Sequence, residues 1–235
     1  MAELLDTVPA SVLAVYAHPN DPEVSCGGAL ARWAAAGAVV HVVICARGDK
    51  GSADPEVDPQ ELAQRRSAEV VCAARALGLT GHHVLDHDDG SLDDTEAFRG
   101  ELVALVRRFK PAAVVCPDPT AVFFGERYYN HRDHRVVGWA TLDAVAPAAA
   151  LPHYFPEAGP AHQVERVYLS GTLEPDVWVD VTGSIEAKAE ALLCHRSQVA
   201  EPGEWLRTVV RQRAEEAGRL AGVPFAEGFR RLVLA

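Results

Sequence analysis

The ten residues VLAVYAHPND, positions 12–21, decide the fold. Val12 to Ala17 form an unbroken apolar run of strand length, the pattern of a strand buried on both faces of a parallel sheet. His18, Pro19, Asn20 and Asp21 follow at once, so a histidine and a carboxylate stand where open α/β sheets present their chemistry, at a strand end. Downstream, Gly27 to Ala36 reads as a helix closed by Gly37, and Val39 to Ala46 as a second strand, which completes a βαβ unit. Gly27 and Gly28 are expected to let that helix begin tightly against the strand-end loop, with its amide dipoles toward the site.

The alternation continues along the chain. Leu62 to Leu77 is a helix ended by Gly78, His83 to Leu85 a short strand, Thr95 to Phe109 a helix stopped by Lys110-Pro111, and Ala112 to Cys116 a strand. Arg135 to Ala149 reads as a helix whose alanine-rich tail stops near Pro152. Val164 to Ser170 and Val177 to Val181 read as strands, Ile185 to His195 and Glu204 to Leu220 as helices. The polar stretch GDKGSADPEVDPQ, Gly48 to Gln60, is a candidate rim loop on the same sheet edge as His18. The expectation is a Rossmann-like α/β fold, a mostly parallel sheet with helices on both faces, forming a single domain over residues 1–235 with 151–235 as an integral C-terminal portion.

Composition narrows the function classes. A net charge of −11 disfavours a nucleic-acid partner, which needs a basic stripe. No apolar stretch reaches the roughly 18 residues of a membrane span, and the N-terminal run MAELLDTVPA carries acids where a secretory signal would carry lysines. A cytoplasmic protein without membrane insertion is expected. The 5 cysteines lack CxxC spacing, and reduced, buried thiols in a reducing compartment are the simplest reading. Trp139, Leu142 and the alanine-rich helix could be core or the interface of a homo-oligomer.

A second polar cluster lies more than a hundred residues away. His131, Asp133 and His134, in the run YYNHRDHR, also follow an apolar strand. Two strand ends can meet in space, and His18, Asp21 and His134 then offer two imidazoles and one carboxylate, a three-ligand set that leaves a position open for water, as in catalytic zinc sites. The bland alternative is three polar residues on unrelated loops. Hydrolysis also needs a base, for which position 20 is the natural place, but the Asn20 amide cannot take up a proton and can only hydrogen-bond. His131, as an imidazolium, could polarise a carbonyl or donate a proton, and Asp133 could orient an imidazole and raise its basicity. Arg66 is a candidate substrate contact among the arginines near the rim. At Asp89, in the acidic turn with Asp86 and Asp88, an Asx turn competes with a contact to a substrate hydroxyl. Phe123, Phe124, Tyr128 and Tyr129 could line an acceptor pocket or simply pack their own loop.

AHPNDPEVSCGG at 17–28 and HRDH at 131–134 resemble the AHPDD…GG and HxDH motifs of the LmbE-like, or PIG-L-type, zinc-dependent N-deacetylases. The resemblance extends through RGDKGS at 47–52, RRSAEVVCAARALG at 65–78, DDG at 88–90, DVTGSIEAKAEALLCHRSQ at 180–198 and FAEGFRRL at 225–232. It implies the LmbE-like deacetylase fold, with His18, Asp21 and His134 as zinc ligands. It also implies His131 as oxyanion stabiliser or general acid with Asp133 tuning it, and a substrate-contacting arginine best matched by Arg66. The activity implied is hydrolysis of an acetamido group on a small substrate, often an N-acetylglucosamine conjugate.

One departure is prominent: the family's general base is the first aspartate of HPDD, and this chain has Asn20 there. Loss of a general base costs about 100- to 10,000-fold in rate. A deliberate Asp→Asn substitution that traps a substrate complex is the favoured origin, because every other motif residue is intact; a natural variant that has lost or rerouted catalysis is the alternative. Two other readings stand beside deacetylation: an amidase acting on a thiol S-conjugate, and a catalytically silent zinc- or ligand-binding homologue. A nucleotide-binding protein is disfavoured, since neither GxGxxG nor GxxxxGK[ST] follows the first strand.

Overall fold

Valine-rich strands build the centre of the sheet. In the computed structural model, which describes residues 3–126, 128–199 and 204–235, a short strand β1 (Glu3–Leu4) precedes β2 (Ser11–Tyr16), helix α1 (Asp21–Ala35) and β3 (Val39–Ala46). Met1 and Ala2 of the acidic N-terminal run lie outside the described residues. β2 and β3 pair in parallel, with Val12 opposite Val40 and Val15 opposite Val43. Then come α2 (Pro59–Ala76), β4 (Gly81–His87), α3 (Glu96–Phe109) and β5 (Ala113–Pro117). Asp58 and Thr95 cap α2 and α3 by accepting hydrogen bonds from Gln60 and Glu61 and from Phe98.

After β5 a small hairpin, β6 (Phe123–Phe124) and β7 (Tyr128–Tyr129), leads into α4 (Arg132–Asp143). β8 (Arg166–Ser170), β9 (Val177–Asp180), α5 (Ile185–Leu193), α6 (Glu204–Ala221) and β10 (Ala226–Val233) complete the chain. The 8-stranded sheet has the order β1-β9-β10-β8-β5-β2-β3-β4. Among the described residues of this sheet, only β10 runs antiparallel to its neighbours, so both sequence clusters emerge on the carboxyl edge of parallel strands.

The period of two along β2 divides the core. Val12, Ala14 and Tyr16 pack in one cluster with Trp33, Tyr168 and Phe229, whereas Leu13, Val15 and Ala17 pack in another with Phe98, Leu102 and Val137. Helices α1, α2, α5 and α6 contribute to the first face; α3 and α4 cover the second. The Rossmann-like, mostly parallel arrangement with helices on both faces is the one expected from the sequence.

Several boundaries differ. The first helix begins at Asp21 and not at Gly27, with Pro22 in its opening turn, where a missing N–H costs nothing. The helix expected at 135–149 begins at Arg132 and ends at Asp143; Ala144–Ala149 continues as an irregular π-type turn, because Pro147 cannot extend an α-helical ladder. The rim segment ends at Asp58, since Pro59 and Gln60 already belong to α2. The cysteine expectation is corrected in part: Cys26, Cys45 and Cys116 are buried free thiols, but Cys72 of α2 and Cys194 after α5 form a disulfide with Cα atoms 5.7 Å apart. Trp139 is exposed, and Leu142 packs against the second core cluster.

Candidate metal centre

β2 ends at Tyr16, and the turn that follows is pinned by its own carboxylate: the His18 N–H donates to Asp21 Oδ2 at 2.8 Å. Between them, Asn20 adopts a left-handed conformation, φ 91°, which asparagine and aspartate tolerate better than other side-chain-bearing residues. His134 enters from the first turn of α4, whose N-cap is His131. Three donor atoms converge: His18 Nδ1 lies 3.1 Å from His134 Nε2 and 3.4 Å from Asp21 Oδ2, and His134 Nε2 lies 3.2 Å from the same oxygen. Tetrahedral zinc with bonds of about 2.0–2.2 Å spaces its ligand atoms by roughly 3.3–3.6 Å, so this set fits such a cation.

The outer nitrogens explain why the inner ones face the centre. His18 Nε2 lies 3.1 Å from Asp89 Oδ1 and 3.3 Å from Asp133 Oδ2, while His134 Nδ1 donates to Asn130 Oδ1 at 2.9 Å. Each ring therefore has an acceptor for its outer N–H and can turn its other nitrogen inward. Asp133 is fully buried and is held in turn by the Gly90 N–H at 2.7 Å; Asp49 Oδ1 accepts the Asp89 N–H at 2.9 Å. Burial disfavours a charged His18, but the surrounding carboxylates of Asp133, Asp21 and Asp89 outweigh it and raise its pKa to about 11. Burial likewise opposes ionisation of Asp21, yet the imidazoles of His134 and His18 hold its pKa well below the usual range. In a metal-free chain a proton on His18 thus does the electrostatic work that a cation would do.

The other anticipated residues separate. His131 is exposed beside the triad, its ring centroid 5.0 Å from that of His18, and its Nδ1 accepts the Asp133 N–H at 3.3 Å. The Asp133 carboxylate bonds to His18; its residue reaches the His131 ring through the backbone. Burial, then the neighbouring His18 charge, lower the His131 pKa, which disfavours the imidazolium anticipated from the sequence. His18, His131 and Asp133 also bring three donor atoms within 4.8 Å of one another. Arg66, the candidate substrate contact, is buried and donates to the carbonyls of Pro19 and Gly48 at 2.7 and 3.0 Å and to Asn20 Oδ1 at 3.4 Å, so it ties the loops at the site together. Asp89 lies against His18, which competes with the anticipated hydroxyl contact. Tyr129 is exposed and paired with Phe123, whereas its neighbours in the hairpin, Phe124 and Tyr128, line a cleft of about 910 Å³ that also contains Asp21 and His134. Of the four aromatic residues anticipated as pocket lining, Phe124 and Tyr128 thus face this cleft. Asn130 and Asp49 were missed as supporting residues, since an amide or a carboxylate in a polar loop carries no signal until its long-range partner is known.

The chain is similar to known proteins in sequence and in fold. Residues 13–145 match the family described as PIG-L: GlcNAc-PI de-N-acetylase. The diacetylchitobiose deacetylase of Thermococcus kodakarensis is 33% identical over 228 residues, covering 93% of this chain and 82% of that enzyme. A 1D-myo-inositol 2-acetamido-2-deoxy-alpha-D-glucopyranoside deacetylase of Kineococcus radiotolerans is 27% identical, covering 81% of this chain and 69% of that one. Among solved structures, the N,N'-diacetylchitobiose deacetylase of Pyrococcus horikoshii, in complex with an inhibitor, superposes with a TM-score of 0.86 at 29% identity, covering 96% of this chain and 84% of that one.

Proposed function

We propose, from the premise that this chain belongs to the PIG-L family (GlcNAc-PI de-N-acetylase), that it hydrolyses the acetamido group of a small N-acetylglucosamine-type sugar or conjugate at a zinc site formed by His18, Asp21 and His134. The observation that carries the reading is the convergence of the three inward-facing donor atoms at 3.1–3.4 Å. Bound zinc would supply Lewis acidity, polarising the amide carbonyl and lowering the pKa of a water.

The chain's own groups account for the rest. Because His131 Nδ1 accepts a backbone N–H, the neutral ring carries its proton on Nε2, and that N–H is the donor for an amide oxygen as it gains charge. Asp133 and Asp89 hold His18, and Asn130 holds His134. With Asn20 Oδ1 turned to the Arg66 guanidinium, the remaining group of that amide is an NH2, which cannot take a proton from water. Asn20 therefore leaves the chain slow, whichever origin it has; a zinc-binding homologue without turnover is the alternative reading, distinguished by the absence of any release. The cleft of about 910 Å³ is far larger than an acetamide and suits a disaccharide-sized ligand, with Phe124 and Tyr128 as apolar wall for a sugar face.

The proposal also treats residues 1–235 as one domain, allows a homo-oligomer, and places the protein in the cytoplasm. The Cys72–Cys194 pair makes the last point testable, since alkylation in intact cells modifies both thiols in a reducing compartment and neither where the bond persists. Function is tested by acetate release from diacetylchitobiose and from N-acetylglucosaminyl-inositol, with and without zinc. Slow, chelator-sensitive release that disappears in His134→Ala is expected; release that survives both the chelator and the substitution contradicts the proposal.

A further inference from the structure

Helix α1 is broken where it leaves the site. Cys26 has φ −145° and ψ 18°, which separates a single turn, starting at metal-site residue Asp21, from the longer segment after it. A straight helix would join these parts through a hydrogen bond from the Gly28 N–H to the Val24 carbonyl, four residues earlier. Here both groups are given to other partners. Lys188 Nζ of α5 donates to the Val24 carbonyl at 3.0 Å, and Glu227 of β10 accepts the N–H groups of Gly28 at 3.0 Å and Ala29 at 2.7 Å. Lys188 and Glu227 are themselves paired at 2.6 Å, with side-chain exposures of 9% and 5%.

The ion pair is thus inserted into the helical ladder, a recognised way to kink a helix. It satisfies the orphaned carbonyl of the first turn and the orphaned N–H groups of the second segment, and those bonds in turn compensate two buried charges. The Gly27-Gly28 pair admits it. A Cβ on Gly28 would lie 2.9 Å from Val181 and 3.1 Å from Glu227 Oε1, and one on Gly27 would lie 3.3 Å from Lys188 Cγ. The amides after these glycines therefore serve Glu227, not the site toward which the sequence pointed them. Lys188 and Glu227 line the same cleft as Asp21 and His134.

We infer that Lys188 and Glu227 are positioning residues for the metal centre: by bridging the break in α1 they fix the one-turn segment that carries Asp21 at the distance from His18 and His134 that a metal needs. This deepens the proposed function and rests on its metal reading. The test is zinc affinity, read by chelator competition on the full chain without substrate, for wild type, Lys188→Met, Glu227→Gln, the double variant, and Lys188→Arg.

Both single substitutions are expected to weaken zinc binding about 10-fold, the lower end of what loss of a group bonded directly to a ligand costs, because Lys188 and Glu227 act through the α1 backbone. The double variant should be no weaker than the worse single one, because the two groups act as a unit, and Lys188→Arg should recover most of the affinity. Arg107→Lys, a variant of a buried residue outside this cluster, controls for general loss of stability and should bind zinc like wild type. If Lys188→Met does not fold, Glu227→Gln, which removes the charge at nearly constant size, carries the same reading. Variants that lose thermal stability yet keep wild-type zinc affinity overturn the inference alone. A wild-type chain that binds no zinc overturns the metal reading and the inference with it.

Discussion

His18 is the residue on which the site's electrostatics turn. Its pKa, raised to about 11, means that a metal-free chain at neutral pH holds a proton there, and a metal must expel it. Zinc affinity is therefore predicted to rise about tenfold per pH unit through the neutral range, with about one proton released per zinc. Calorimetry in buffers of different ionisation enthalpy measures that proton directly, and binding without release would contradict the assignment. The same shift stabilises the metal-free fold: the contribution is complete below pH 6.5 and is lost as pH rises toward 11. At position 20, the left-handed backbone explains why asparagine can stand in for aspartate without disturbing the turn, although only aspartate can accept a proton.

At the scale of elements, strands β2, β3 and β5 and most helices could be read from apolar periodicity and from glycine and proline stops, because each signal lies within a few residues. The start of α1 was misplaced because the break at Cys26 depends on Lys188 and Glu227, far away in sequence. β10 and the β6–β7 hairpin were missed for a similar reason: FAEGFRRL alternates imperfectly, and a hairpin of two-residue strands shows no period. The two halves of the candidate site were legible because each is compact in sequence, whereas their supports Asn130 and Asp49 were not. Another long-range device shapes the chain after α4. The guanidinium of Arg107 in α3 lies within hydrogen-bond distance of six carbonyls, those of Ala148, Ala149, Leu151, Tyr154, Phe155 and Gly159, and shares its five N–H groups among them. Arg107→Ala strands several of these carbonyls and is predicted to destabilise the fold by more than about 3 kcal/mol, measured by urea unfolding. A loss below about 1 kcal/mol would show that water replaces the guanidinium.

Over the whole molecule, one sheet brings strand ends from residues 16 and 117 together, and elements from the C-terminal third complete the cleft. The Cys72–Cys194 bond spans 122 residues and ties α2 to the turn after α5. Replacing both cysteines by serine is predicted to cost about 2–4 kcal/mol under oxidising conditions, and reductant should bring the wild type down toward the variant. Equal stability of the two proteins without reductant would contradict a formed bond. The proposed catalysis depends on the same architecture, for the sheet brings His18, Asp21, His131 and His134 together while Asn20 stands where a base is expected. The decisive measurement compares the zinc-loaded Asn20 protein with its Asn20→Asp variant in amine release from N-acetylglucosamine conjugates. A gain of about 100- to 10,000-fold in the aspartate variant, at similar zinc affinity, is predicted; equal rates in the two proteins would contradict the assignment of position 20, and silence in both, with zinc bound, would contradict deacetylation of this substrate class.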